Sequence, residues 1–263
     1  MKTLKISGLL VLVLFIFNAC QKQRALVWQD EFEGNKLDTS KWTAYVGNGC
    51  PELCGFGNNE LQFYTNDEAN VSVQNGILTI TATEDSVGEN PFSSAKLVTQ
   101  GHADWKYGRI EVMAKVPEGK GNWPAIWMLP TQNKYGGWPR SGEIDIMEHV
   151  GYNPEMVYGT VHTQAFNHMK GTQKRDSIRV QQLDEAFHLY AVDWSEEKID
   201  FYLDDQLYHT FANTGGNSDE WPFDHPFYLI LNIAVGGNWG GKYGIANDIF
   251  PNRMEIDYVR VYQ

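Results

Sequence analysis

The chain has 263 residues, 13% of them aromatic, and carries 33 acidic against 21 basic side chains, a formal net charge of −12. A surface this acidic repels phosphates and anionic headgroups, so neither a nucleic acid nor a bare membrane surface is an expected partner; sulfated or uronate polymers are disfavoured unless a local basic cleft overrides the average. No apolar run approaches the ~20 residues of a membrane-spanning helix.

At the N-terminus, Lys2 and Lys5 precede an apolar run over residues 9–17 that ends in Asn18-Ala19-Cys20. This reads as a secretory signal over residues 1–19. The junction Phe17-Asn18-Ala19-Cys20 resembles a bacterial lipobox, in which Cys20 becomes the lipidated first residue of the mature chain. Residues 20–25 then form a short tether, and the chain is expected to be an exported outer-membrane lipoprotein that touches the membrane only through this anchor. Gln21-Lys22-Gln23-Arg24 has no acidic run, which favours the periplasmic side over the cell surface.

Residues 26–263 show no repeat, low-complexity tract or linker, so one monomeric domain is expected. Cys50 and Cys54 flank Pro51-Glu52-Leu53 in a chain bound for an oxidising compartment, which favours a local disulfide. Closing so small a loop contributes only about 2 kcal/mol, so it pins a loop and does not hold the domain. Strand-like runs follow over 77–83, 108–116, 125–129, 157–163, 187–194, 198–203, 227–235 and 254–262, rich in Val, Ile, Tyr, Phe and Thr and separated by Gly, Asn, Asp and Pro. In 108–116, Ile110, Val112, Ala114 and Val116 share one face while Arg109, Glu111, Met113 and Lys115 share the other. One-sided strands of this kind suit two stacked antiparallel sheets. The expected fold is all-β, a jelly-roll sandwich with a cleft on its concave face.

The run over 141–151 holds Glu143, Asp145 and Glu148 between apolar residues. On a regular strand Glu148 would point away from the other two and into the core. One extra residue, a β-bulge at Ile146 or Met147, returns it to their face. The Cα atoms of Glu143 and Glu148 would then stand about 13 Å apart, and side chains leaning inward bring the carboxyls to ~5 Å. That separation suits a retaining glycosidase, in which one carboxylate attacks the anomeric carbon and the other protonates the leaving oxygen. Two carboxylates this close repel by about 3 kcal/mol, roughly two pKa units, enough to keep one protonated near neutrality. A solvated acidic face or a calcium site is equally compatible with spacing alone.

Nine tryptophans flank or follow this strand or lie upstream of it. Trp28, Trp42 and Trp194 read as core, whereas Trp123, Trp138 and Trp239 sit beside Gly, Asn and Pro, where an exposed indole can stack on a pyranose. His162 by itself reads as a hydrogen-bonded strand histidine.

Taken together, these residues resemble glycoside hydrolase family 16, and within it the bacterial endo-β-1,3-glucanases called laminarinases. The resemblance runs from Trp28-Gln29-Asp30-Glu31-Phe32 to the C-terminal strand, and its most specific element is Glu143-Ile144-Asp145-Ile146-Met147-Glu148, the bulged form of the family signature. Gly57-Asn58-Asn59-Glu60-Leu61-Gln62-Phe63-Tyr64, Trp123-Pro124-Ala125-Ile126-Trp127-Met128-Leu129-Pro130 and Tyr158-Gly159-Thr160-Val161-His162-Thr163 match as well. The resemblance implies a concanavalin A-like fold, Glu143 as nucleophile, Asp145 as its modulating partner and Glu148 as acid/base. It also implies a cleft lined by Asn58, Arg109, Trp123, Trp127, Trp138 and His162. A β-glucan, β-1,3-linked or mixed β-1,3/1,4-linked, is the implied substrate, with agarose and carrageenan as the alternatives on the same scaffold. Related proteins bind β-glucan without cutting it, but they lack the catalytic glutamates. No cofactor is implied for the chemistry; a structural calcium is, at Glu33, Gly76 and Asp257. The chain departs from the family at Phe56, where tryptophan is common, at Met113, where arginine is common, and in the Cys50 to Cys54 insert.

Overall fold

The computed structural model describes residues 24–246 and 248–263. Cys20 and the signal and tether expected up to residue 23 lie outside the described residues. In chain order the strands are β1 (Leu26–Asp30), β2 (Thr43–Ala44), β3 (Gln62–Tyr64), β4 (Val71–Gln74), β5 (Ile77–Ala82), β6 (Phe92–Ser94), β7 (Lys96–Val98), β8 (Gly108–Lys115) and β9 (Asn122–Pro130). They continue with β10 (Glu143–Glu148), β11 (Met156–His162), β12 (Lys174–Arg179), β13 (His188–Trp194), β14 (Lys198–Leu203), β15 (Gln206–Ala212), β16 (Phe227–Val235) and β17 (Asn252–Tyr262). One sheet runs β15-β14-β13-β8-β17-β5-β4 with β1 beside β17, and the second runs β12-β11-β10-β9-β16-β7-β2. Pairings within both are antiparallel, while β3 and β6 form a small parallel pair. This is the expected jelly-roll sandwich.

Alternation decides what each sheet buries. Ile110, Val112 and Ala114 of β8 face Ile126 and Met128 of β9, Ile144 of β10 and Leu229, Leu231 and Ile233 of β16 in one continuous core. Each such side chain contributes about 1.5–3 kcal/mol by leaving water. Trp42 and Trp194 are buried in it, and Trp28 packs edge-on against Trp42 and Trp105 at ring distances of 5.8 and 5.2 Å. In β11, Gly159 faces inward where a Cβ would stand 2.7 Å from the Phe201 ring, so only glycine lets the two sheets approach there.

The outer face of the second sheet carries the cleft. Its residues are set by the same alternation: Lys96 on β7, Tyr228 and Asn232 on β16, Trp123, Ala125, Trp127 and Leu129 on β9. β16 is buried along its whole length, its outward Tyr228 and Ile230 packing among Val98, Trp127 and Leu129 of the neighbouring strands, which is why it reads as a nearly continuous apolar run.

Each of the eight expected strands is present, with ends shifted by up to three residues. The strands not expected are short, such as β2 and β3, or lie at sheet edges, such as β12 and β15. Trp123, expected in a turn, lies inside β9, opposite Ala234. Arg109 is a clear correction: it sits on β8 in the other sheet, where it bonds Glu111 at 2.5 Å and Asp205 at 2.9 Å and lies over the Tyr202 ring. The alternation that sends Ile110 inward sends Arg109 to the outside of the sandwich, so it is not a cleft residue. Met113 shares that outer face and has no bearing on the cleft either.

Candidate active site

The bulge in β10 is at Ile146. Asp145 pairs with Trp127 of β9, and the next partners are Met147 with Ile126 and Glu148 with Ala125. On the other side Asp145 pairs with Thr160 and Glu148 with Tyr158, three residues on β10 against two on each neighbour. Ile146 and Met147 both enter the aliphatic core, and Glu143, Asp145 and Glu148 all line one cleft of about 760 Å³.

Indole N–H groups hold the two glutamates. Trp138 Nε1 donates to Glu143 Oε2 at 2.7 Å, and Trp123 Nε1 donates to Glu148 Oε1 at 3.1 Å. Thr160 Oγ1 donates to the other Glu148 oxygen at 3.3 Å. Sequence reasoning assigned these tryptophans to sugar stacking and missed their N–H groups. Trp138 remains 39% exposed, so its ring is still open to a ligand. His162 stands opposite Glu143 on β11, on the same face of the sheet and buried, with Nε2 3.4 Å from Asp145 Oδ2 and 3.7 Å from Glu143 Oε1. Its ring packs 6.0 Å from that of Trp138 and 5.2 Å from that of His168, so it touches the acids from the β11 side without lining the open cleft.

Burial raises the pKa of all three acids. Glu143 is pushed up to about 8, first by burial and then by the neighbouring Asp145. Asp145 is raised well above the usual range, by burial and then by Glu148; Glu148 is raised by burial. Desolvation therefore outranks the carboxylate–carboxylate repulsion that spacing alone suggested. The shift favours the protonated form that an acid needs, and the indole N–H groups oppose it by favouring the ionised form that a nucleophile needs.

The rest of the cleft is polar beneath and aromatic at its sides. Trp127 Nε1 donates to Asn232 Oδ1 at 2.7 Å, and Asn232 Nδ2 to the Tyr64 hydroxyl at 3.0 Å. Glu60 accepts from Asn58 at 3.3 Å and Gln62 at 2.7 Å, which orients the Asn58 side chain in the cleft. Lys96 lies 4.6 Å from the Phe56 ring and 5.0 Å from Trp127, and burial lowers its pKa to about 8. Neither Glu60 nor Lys96 stood out in sequence. The available signal was a single lysine between small and apolar residues in Ser93-Ser94-Ala95-Lys96-Leu97-Val98, on the parity of the cleft face. Cys50 and Cys54 are bonded to each other, and the loop they close brings Leu53 to the cleft beside Phe56 and Gly57. Trp239 stands just outside that lining, its ring 5.5 Å from Trp123 and 5.1 Å from Tyr158.

Among the described residues, Glu143, Asp145 and His162 are the one set of three ligating side chains within 4.8 Å, and they are the reactive cluster itself. The calcium positions lie in the other sheet. β17 pairs with β5 up to Ile256 opposite Leu78 and with β1 from Val259 opposite Asp30, so Asp257 falls in the gap between them. The strand is bulged there, Asp257 is exposed, and Gly76 has open space around it. An exposed carboxylate at a break in strand pairing, with open space at Gly76, is compatible with an oxygen-ligated calcium.

The model of glycosyl hydrolases family 16 matches residues 58–260. A β-glucanase of Rhodothermus marinus is 50% identical over 247 residues, covering 90% of this chain and 85% of that one. The X-ray structure of the laminarinase from Rhodothermus marinus superposes with a TM-score of 0.87 at 49% identity, covering 91% of this chain and 97% of the other. A variant of a family 16 non-specific endo-β-1,3(4)-glucanase, crystallised with 1,3-β-D-cellotriosyl-glucose, presents 1,3-β-D-cellobiosyl-glucose at its active site; its TM-score is 0.87 at 43% identity, with 92% and 95% of the two chains covered.

Proposed function

Because the chain belongs to glycosyl hydrolases family 16, we propose that it is an endo-β-1,3-glucanase that cuts internal bonds of laminarin-type glucans and also accepts mixed β-1,3/1,4-glucan. The observation that carries this reading is the Ile146 bulge, which delivers Glu143, Asp145 and Glu148 to one cleft. The 50% identical β-glucanase and the 1,3-β-linked oligosaccharide seated in the active site of the 43% identical enzyme support the substrate class.

The reaction proceeds with retention. Glu143 Oε attacks C1 of the glucosyl unit as Glu148 gives its proton to the departing glycosidic oxygen, forming a glycosyl ester and a chain with a free hydroxyl. Glu148, now ionised, takes a proton from water; the water oxygen attacks C1 and the ester bond breaks with its electron pair returning to Glu143. Asp145 and His162, its neighbours on the same sheet face, adjust the charge on Glu143. Glu143→Gln and Glu148→Gln, made separately, are each expected to lower reducing-end release from laminarin by more than 10³-fold, and wild-type rates in either variant overturn the assignment. NMR of the first product must show the β-anomer. A panel of laminarin, lichenan, agarose and carrageenan decides the substrate, and cleavage of the last two alone favours the other polysaccharide reading.

Two further parts of the proposal stand apart from catalysis. Cys20 carries a lipid that tethers the domain to the outer membrane on its periplasmic side; Cys20→Ser then releases soluble protein. Calcium binds at Glu33, Gly76 and Asp257 and supplies stability only, so a chelator lowers Tm while kcat at 25 °C is unchanged.

A further inference from the structure

Beyond the carboxylates the outer face of the second sheet continues over β11 and β12 to the sheet edge. Register aligns Asp145, Thr160 and Arg175 in one row across β10, β11 and β12, and Glu148, Tyr158 and Ser177 in the next. All of these side chains therefore project from the cleft face. The Arg175 guanidinium carbon lies 5.0 Å from the Tyr158 ring centre and 5.0 Å from that of Trp239. Trp239 in turn leans on Trp123, whose N–H holds Glu148. Asn153 Nδ2 donates to the Tyr158 hydroxyl at 2.7 Å, which fixes that ring.

Arg175 is exposed, and among the described residues no carboxylate oxygen stands within 4.0 Å of it. Two aromatic rings thus hold a planar fork of five N–H donors that makes no direct ion pair, while its charge still reaches Asp145 and Glu148 and favours their ionised forms. Next to it stand aromatic edges and the reactive glutamates. Hydroxyl-rich, uncharged ligands match such a surface: their oxygens accept from the guanidinium and their C–H faces lie on the rings. We propose that Arg175, Tyr158 and Trp239 form a sugar-binding subsite that carries the glucan chain past Glu148 toward the β12 edge. The proposal rests on the β-glucanase reading for its ligand. It extends the cleft beyond Glu148, past a lining that ends at β10 and at His168 and Met169.

The experiment uses Arg175→Met, which keeps an apolar stem between the rings, with Arg175→Lys as the conservative partner. Affinity for laminarihexaose and laminaritriose is measured calorimetrically in a Glu148→Gln background, and kinetics on both are measured in the active enzyme. A charge-assisted hydrogen bond corresponds to about tenfold in affinity. The expected result is a roughly tenfold weaker hexaose Kd and a matching rise in KM, with kcat within about twofold, a smaller effect on the triose, and partial recovery in Arg175→Lys. Unchanged hexaose affinity overturns the subsite. So does a fall in kcat with KM fixed, which would assign Arg175 to the electrostatics of the carboxylates. If the wild type releases no reducing ends from laminarin, the function reading fails, and the calorimetry still decides whether Arg175 binds glucan.

Discussion

At the scale of single residues, the glutamates owe their usefulness to what surrounds them more than to each other. Trp138 and Trp123 each give one N–H to a carboxylate that burial is pushing toward its protonated form. A hydrogen bond to the ionised oxygen opposes that push. Trp138→Phe keeps an aromatic ring and deletes the donor, so the Glu143 pKa rises further and less of the nucleophile is ionised. The acidic limb of the kcat/KM profile is expected to move to higher pH, with kcat down about 10- to 100-fold at neutrality, the worth of a charge-assisted hydrogen bond. A rise in KM alone, with the limb unmoved, would leave Trp138 as a stacking platform only.

At the scale of the element, β10 works because its register error is matched to its sequence. Removing Ile146 makes the spacing of the three acids regular, two and two, and leaves them on one face against an unbulged β9 and β11. The variant loses one fully buried aliphatic side chain, a cost of about 2–5 kcal/mol, yet is expected to keep measurable laminarin hydrolysis. Inserting an alanine after Ile146 drives Glu148 into the core and should abolish activity outright. If the deletion is as dead as the insertion, the bulge does more than restore parity. This element was legible because an acid out of step on an apolar strand has few other resolutions. Arg109 was not, since its cleft role came from the resemblance, and alternation that turns it away from the core does not say which sheet carries the cleft. Trp123 was misplaced for a related reason: its Gly, Asn and Pro neighbours read as a turn, while pairing with β10 and β16 overrides that local preference. Edge strands such as β12, whose Lys174, Arg175 and Asp176 all meet solvent, show no alternation to read.

At the scale of the whole molecule, the cleft is a store of unfavourable desolvation inside an otherwise apolar sandwich. Glu143 has its ordinary range in the unfolded chain and a pKa of about 8 in the folded one, so the native state binds the proton more tightly. Stability from this group is therefore full below about pH 4.5 and is lost as pH rises through 8. Asp145 and Glu148 are shifted in the same direction, so the three reinforce one another. Glu143→Gln removes one titration while keeping the shape. The variant should be no more stable than the wild type at pH 4 and more stable at pH 8, by on the order of 1 kcal/mol or more, about 2–4 °C in Tm for a domain of this size. Thermal melts of both proteins across pH 4–9 measure that difference directly. A difference that stays flat with pH would mean Glu143 is ionised in the free protein, with Trp138 and His162 outweighing burial; one that grows with pH identifies the reactive cluster as the part of the fold that trades stability for chemistry.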